Sequence, residues 1–260
     1  MRIAFFDSGI GGITVLAEAM RRLPQEDYLY FADTLHVPYG TKSKEDVLDY
    51  VKKSVDTIIQ HDVKALVIAC NTATSIAVAD LRSTYGIPII GMEPAVKPAL
   101  EMNRSTGKRV LVFATPLTLK QTKYLELISR IDDQHMVDSL PLPELVEFCE
   151  ALQFNPAIIT AYFQEKLTGF DLSLYGTVVL GCTHFPFYKD LLRSILPDHI
   201  QIVDGSSGAV NRLKHVMEEE GNLGTDGQAE VAFLCSNQDP VYMKKMQDAL
   251  AIIRNRATKK

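Results

Sequence analysis

The sequence predicts an α/β protein made of two similar parallel-sheet domains, related by a pseudo-twofold axis, with the functional site in the cleft between them. Two observations carry this prediction. Short apolar segments alternate with longer helical segments, which is typical of a parallel sheet covered on both faces. The second half of the chain repeats the order of apolar segments and polar turns seen in the first half, which indicates an internal duplication.

The first half contains four predicted strands with helices between them. The strands are the apolar segments RIAFF (2–6), DYLYFAD (27–33), ALVIAC (65–70) and IPIIGM (87–92). The helices are ITVLAEAMRRLP (13–24), a segment that starts after Ser43, and TSIAVADLRSTYG (74–86). Ser43 is a predicted N-cap, because apolar residues recur at helical spacing after it, at positions 47, 48, 51, 55, 58 and 59.

The second half matches the first segment by segment. RVLVFATPLT (109–118) aligns with RIAFFDSGIG (2–11) and sets Thr115 against Ser8, and IQIVDGSSGAV (200–210) can be set beside IPIIGMEPAV. TVVLGCTHFP (177–186) aligns with ALVIACNTAT (65–74) and sets Cys182 against Cys70. Parallel α/β sheets bind ligands at the carboxyl ends of their strands. The candidate site residues at such ends are Asp7, Ser8, Cys70, Asn71, Thr115, Cys182 and Thr183.

Composition excludes several classes of function. The 260 residues carry a net charge of −5 with no basic stripe, so the sequence predicts no nucleic-acid partner. No apolar run approaches the roughly 20 residues of a membrane span, and the chain opens on a strand-like segment, so we expect no membrane partner and a cytoplasmic location. The four cysteines show no CxxC spacing, which predicts free thiols and no metal site. Cys149 and Cys235 are expected to be inert core residues.

Two opposed thiols suit one kind of chemistry. Inverting a tetrahedral carbon without moving the substrate needs one group that removes a proton from one face and a like group that supplies one to the other. Cys70 and Cys182, one from each half, meet that need. A predicted helix begins after Cys70, and its dipole should favour the thiolate. Cys182 also lies near a helix start, with His184 beside it to relay a proton or to serve structurally.

The glycine-rich turn DSGIGG (7–12) is expected to bind a small anion. A dinucleotide fingerprint would need glycine where Thr14 stands, and Asp7 would repel a pyrophosphate, so no such cofactor is predicted. The backbone N–H groups of the turn and the Ser8 hydroxyl suit an amino acid carboxylate. Asp7 is then free to meet an ammonium group or to assist Cys70.

Four motifs together resemble the glutamate racemase family of the aspartate/glutamate racemase superfamily. They are FDSGIGG (6–12), VPYG (37–40), ACNTA (69–73) and LGCTHFP (180–186), in the order of that family and across most of the chain. The resemblance implies a cofactor-independent isomerase of two α/β domains that interconverts L- and D-glutamate and supplies D-glutamate for bacterial peptidoglycan. It also implies a homodimer.

The resemblance assigns roles to individual residues. Cys70 and Cys182 become the two acid/base groups, assisted by Asp7 and His184, and a family glutamate corresponds to Glu147 with a one-residue difference in spacing. Substrate contacts fall on Ser8, Tyr39, Gly40, Asn71, Thr72 and Thr183, and Thr115 joins them through the repeat. Two departures are His36, where many relatives carry arginine, and GMEPAVKPA (91–99), which is one residue shorter than the family pattern.

Domain boundaries and rival functions complete the prediction. The first domain is expected to comprise residues 1–97 and 207–260, and the second residues 98–206. One rival is a racemase for another amino acid such as aspartate, with both cysteines kept. Another is a cysteine hydrolase that uses Cys182 and His184, in which Cys70 would be dispensable. A two-lobed amino acid binder would need neither thiol.

Overall fold

Two parallel β-sheets organise the protein in the computed structural model, which describes residues 1–257. The strands are numbered along the chain. Those of the first sheet lie in the order β4–β3–β1–β2–β9, with the bounds β1 (Arg2–Asp7), β2 (Tyr28–Ala32), β3 (Val63–Ile68), β4 (Ile89–Gly91) and β9 (Val231–Cys235). Those of the second lie in the order β6–β5–β7–β8, with the bounds β5 (Arg109–Ala114), β6 (Val137–Pro141), β7 (Tyr175–Leu180) and β8 (Gln201–Asp204). The predicted fold class is confirmed.

The two sheets share one topology. Read from the other edge, the second sheet runs β8–β7–β5–β6, so each of its strands occupies the place of a strand of the first sheet. Phe6 of β1 pairs with Ile68 of β3, and Phe113 of β5 pairs with Leu180 of β7 in the matching register. Both central strands also shift register after their first residue. This agreement supports the duplication that the sequence indicates.

Helices cover both sheets. Their bounds are α1 (Ile13–Arg22), α2 (Lys44–Ile59), α3 (Asn71–Thr84), α4 (Val96–Asn103), α5 (Pro116–Lys120), α6 (Thr122–Ile131), α7 (Glu144–Glu150), α8 (Pro156–Leu167), α9 (Lys189–Ile195), α10 (Ser206–Glu219) and α11 (Pro240–Ala257). Short 3-10 helices span Tyr39–Thr41, Leu172–Leu174 and Phe185–Tyr188. The predicted cap of α2 is confirmed, because the Ser43 hydroxyl accepts a hydrogen bond from the Asp46 N–H at 3.1 Å.

The last strand and helix return to the first sheet. β9 pairs in parallel with β2, and α11 packs against β9 and α1, whereas β8 pairs with β7 in the second sheet. The division into residues 1–97 with 207–260 and residues 98–206 stays a proposal. Among the described helices, none is long and apolar enough to cross a membrane.

Candidate active site

The carboxyl ends of the two sheets face each other and form one buried site. Thr183, after β7, donates a hydrogen bond from its hydroxyl to Asp7 Oδ2 at the end of β1, at 2.9 Å. Thr72, at the start of α3, lies 3.0 Å from the hydroxyl of Thr115, at the end of β5. Each contact joins a strand end of one sheet to a strand end of the other. The candidates that were scattered along the sequence therefore meet in one place.

Cys70 is the N-cap of α3, and its thiol is buried. The side chain is 6% exposed, and Sγ accepts a hydrogen bond from the Ala73 N–H at 3.5 Å. Burial and the nearby Asp7 carboxylate raise the pKa of the Cys70 thiol, and the Ala73 N–H lowers it only in part. The expectation that the helix start would favour the thiolate is therefore corrected, because desolvation outweighs the helix terminus here.

Cys182 belongs to a chain of three side chains. Its Sγ lies 3.7 Å from His184 Nδ1, and His184 Nε2 lies 2.8 Å from Glu150 Oε1. Burial lowers the pKa of His184, but Cys182 and Glu150 reverse this and raise it well above its ordinary value. Burial also opposes ionisation of Glu150, yet His184, Lys245 and Tyr242 lower its pKa to about 2. This arrangement therefore favours the protonated form of His184 between the Cys182 sulfur and the Glu150 carboxylate.

Asp7 is fully buried between the two cysteine environments. Its Oδ1 accepts a hydrogen bond from the Gly9 N–H at 3.0 Å, and its Oδ2 accepts the one from Thr183. Burial raises the pKa of Asp7, while the charge of His184 opposes that rise. The charge of Cys182 raises the pKa of Cys70, so the two thiols are close enough to influence each other. Asp7 and His184 therefore place an ionisable group beside each thiol.

A cluster of threonine hydroxyls lies beside the thiols. Thr72, Thr115 and Thr118 are each within 2.9–3.0 Å of the other two, and all three are buried. The side-chain N–H₂ of Asn71 is buried without a hydrogen-bond partner among the described residues. Since buried donors are rarely left unpaired, this amide is available to a ligand. These groups suit a small molecule that carries carboxylate oxygens.

The remaining predicted contacts line the same region. Ser8 is buried and contributes a hydrogen bond that lowers the pKa of Cys70. The Tyr39 hydroxyl donates to Asp33 Oδ2 at 2.5 Å, so Tyr39 has its side chain engaged within the protein. A Cβ at Gly40 would come 2.6 Å from the Thr115 Cβ, so the backbone of that 3-10 helix packs directly on the second sheet. Only glycine allows this approach.

Glu147 is not part of the site, which corrects the residue assigned from the family pattern. Glu147 lies exposed on α7, whereas Glu150 at the end of the same helix reaches His184. Residues three apart lie near the same face of a helix, but it is Glu150, the last residue of α7, whose side chain reaches His184. Sequence reasoning also missed Thr118, because it lies one turn inside α5 and away from the strand end.

In the part of the chain from residue 1 to 257, no three His, Cys, Asp or Glu side chains are grouped to hold a metal ion. What the site offers is proton chemistry, with two thiols on opposite halves, Asp7 beside Cys70 and His184 beside Cys182.

Comparisons with known proteins agree with this geometry. The family model described as Asp/Glu/Hydantoin racemase matches residues 13–213. The glutamate racemase of Halothermothrix orenii is 52% identical over 252 residues, which cover 96% of this chain and 99% of that protein. Two solved structures superpose on this chain with TM-scores of 0.81. The Francisella tularensis glutamate racemase in complex with D-glutamate is 29% identical over 97% of this chain and 93% of its own. The Escherichia coli enzyme in complex with L-glutamate and the activator UDP-MurNAc-ala is 27% identical over 98% and 94%.

Proposed function

The chain belongs to the Asp/Glu/hydantoin racemase family, and we propose that it interconverts L- and D-glutamate by a two-thiol mechanism. The thiolate of one cysteine takes the Cα proton, so that the C–H bond breaks, an S–H bond forms and the electron pair stays on the substrate. The thiol of the other cysteine then donates its proton to the opposite face of the carbon. For the reverse reaction Cys70 and Cys182 exchange roles.

One observation carries this proposal: Cys70 and Cys182 follow equivalent strands, β3 and β7, of two sheets whose carboxyl ends face each other. Each thiol has its own acid/base neighbour, Asp7 for Cys70 and His184 for Cys182. A cysteine hydrolase would need one such pair only, and a binding protein would need neither. The paired arrangement favours the racemase over both rivals.

The neighbouring groups have defined parts in this mechanism. The Asn71 amide and the hydroxyls of Ser8, Thr72, Thr115 and Thr183 bind the substrate carboxylates. Asp7 meets the substrate ammonium group or shuttles the Cys70 proton, and the imidazolium of His184 serves Cys182. Thr118, buried against Thr72 and Thr115, fixes the direction of their hydroxyls.

Deuterium labelling tests the two-thiol step. L-Glutamate is turned over in deuterium oxide, and both enantiomers are examined by mass spectrometry at low conversion. The donating thiol exchanges its hydrogen with solvent, so the first D-glutamate formed should carry deuterium at Cα almost completely. A single base that serves both faces would return the original proton, so substantial protium in the early product would contradict two thiols.

The cellular role extends the same proposal. We expect the D-glutamate to enter peptidoglycan, and the gene should restore growth of a bacterium that requires D-glutamate. A Cys70→Ala gene should fail to restore growth, because the protein is made but lacks one of the two proton carriers. The cytoplasmic location and the homodimer stay predictions.

A further inference from the structure

The C-terminal helix reaches across to the acid/base chain of the other half. Lys245 Nζ on α11 lies 2.9 Å from Glu150 Oε2 and 2.8 Å from the Glu150 main-chain oxygen. The Tyr242 hydroxyl donates to the same Oε2 at 2.6 Å. α11 packs on β9 and α1 of the first sheet, whereas α7, which carries Glu150, follows β6 of the second sheet. The contact therefore joins the two halves at the carboxylate that faces His184.

The two oxygens of the Glu150 carboxylate have separate partners. Oε1 accepts from the Ile10 N–H at 2.8 Å and faces His184 Nε2 at 2.8 Å, while Oε2 is held by Tyr242 and Lys245. With both donors on Oε2, the carboxylate cannot rotate without losing a charge-assisted hydrogen bond. Its fixed orientation in turn fixes the imidazole ring that faces Cys182.

We propose that Tyr242 and Lys245 are positioning residues for proton transfer at Cys182 and act through Glu150 and His184. Neither residue needs to touch the substrate. The inference rests on the proposed function, since it concerns the efficiency of the same proton transfer.

Charge supports the geometric argument. The titratable groups that influence Glu150, or are influenced by it, are His184, Lys245, Tyr242, Tyr30, Asp7 and Cys149. Lys245 lies at Oε2, on the side of the carboxylate away from His184, which faces Oε1. Without Lys245 and Tyr242, Glu150 would keep fewer partners for its ionised form and would take up a proton at higher pH. A protonated Glu150 would no longer support the imidazolium.

The experiment compares Lys245→Met and Tyr242→Phe with the wild-type protein. Each variant should lower kcat for glutamate by about 10-fold, a part of the roughly 100- to 10,000-fold that general acid–base catalysis contributes, with KM changed less than about two-fold. In the double variant the acidic limb of kcat/KM should move to higher pH. Lys245→Arg keeps a cation at this position and should recover most of kcat. L- and D-glutamate have equal free energies, so kcat/KM must fall equally in both directions.

The chain provides matched controls. Lys244 is next to Lys245 and pairs only with Asp248 on the surface among the described contacts, so Lys244→Met removes a cation away from the site. On α7 itself, Glu144 is held by the Tyr162 hydroxyl at 2.9 Å and Lys166 at 3.0 Å, the same pair of groups. Tyr162→Phe and Lys166→Met should therefore leave kcat and its pH dependence unchanged.

The outcomes separate the two proposals. If the wild-type protein racemises glutamate and Lys245→Met behaves like Lys244→Met, the positioning role is wrong and the proposed function stands. If the wild-type protein does not racemise glutamate, the proposed function itself fails. A thermal unfolding curve of each variant identifies loss of structure. If Lys245→Met unfolds, the positioning role is tested on Tyr242→Phe, which removes only one oxygen atom. A fall in kcat without any shift of the acidic limb would also overturn the proposal.

Discussion

Glu150→Gln removes the charge opposite His184 while it keeps the size of the side chain. The pKa of Glu150 is lowered from 4.5 to about 2 although burial acts in the other direction. A factor of ten in a protonation equilibrium corresponds to about 1.4 kcal/mol, so the site favours the carboxylate by about 3 kcal/mol. His184 shares this stabilisation with Lys245 and Tyr242.

We expect kcat of Glu150→Gln to fall about 10- to 100-fold, because His184 loses the charge that keeps it protonated beside Cys182. Circular dichroism or a coupled assay of D-glutamate formation measures the rate. Glu147→Gln is the matched control, since Glu147 lies exposed on the same helix and its rate should stay at the wild-type level. Equal rates for both variants would refute the assignment of Glu150. A loss confined to Glu147→Gln would show that Glu147 is the family glutamate, as the sequence spacing indicated.

The same charge makes stability depend on pH. Because the folded pKa of Glu150 lies below the unfolded one, its contribution is fully present above about pH 4.5 and is lost as the pH falls towards 2. Glu150→Gln should therefore be less stable than the wild type at pH 7, by up to about 3 kcal/mol. Denaturant titrations at several pH values should show this gap closing between pH 4.5 and pH 2. A gap that stays constant would contradict the lowered pKa.

Three further changes test other parts of the structure. Cys70→Ala and Cys182→Ala should each abolish racemisation while Cys235→Ala stays active, and an active Cys70→Ala would exclude the two-thiol mechanism. Gly11→Ala should lower kcat at least about 10-fold, because its Cβ would lie 2.5 Å from His184 Nδ1, whereas Gly208→Ala, with open space around it, should not. Lys64→Met should lower the free energy of unfolding by about 3–5 kcal/mol, because it leaves the buried Glu26 without its partner at 2.8 Å. Lys52→Met, which removes a surface ion pair with Asp80, should lower it by at most about 1 kcal/mol. Equal losses in the two variants would count against a stabilising role of the buried pair.

The strands and the two thiols were predictable because their signals are local. A buried parallel strand needs a run of apolar residues, and ALVIAC and TVVLGC each show such a run followed at once by the cysteine. The duplication strengthened this prediction, since equivalent residues of two similar halves must occupy equivalent strand ends. Ser43 was predictable as a cap for the same reason, because capping is decided within one helical turn.

Glu150 and its supports were not predictable in this way. Glu150 reaches His184 from the end of α7, a helix that has no equivalent motif in the first half, and the spacing pointed to Glu147 instead. Tyr242 and Lys245 meet Glu150 only because the last helix returns to the first sheet and lies against the second. Such contacts depend on how helices pack, which the apolar pattern alone does not determine.

The direction of the Cys70 pKa was missed for a related reason. A helix start favours the thiolate by an amount that the sequence suggests, but desolvation depends on how tightly the opposite half covers the thiol. In the structure Cys70 is 6% exposed and Cys182 7% exposed, so the closure of the two halves decides the balance. Burial in the closed site raises the pKa of Cys70.

Pseudo-symmetry and the different surroundings of the two thiols have a joint consequence for turnover. Under the two-thiol mechanism each reaction leaves the proton on the cysteine that began as the thiolate, so the site must exchange it before the same direction can run again. Burial and Asp7 favour the protonated form of Cys70, while Cys182 faces the imidazolium that Glu150 sustains. The two protonation states of the free enzyme are therefore unequal in energy. The enantiomers have equal free energies, so kcat/KM must be the same for L- and D-glutamate. The inequality can instead give the two enantiomers different kcat values, with KM values that differ by the same factor.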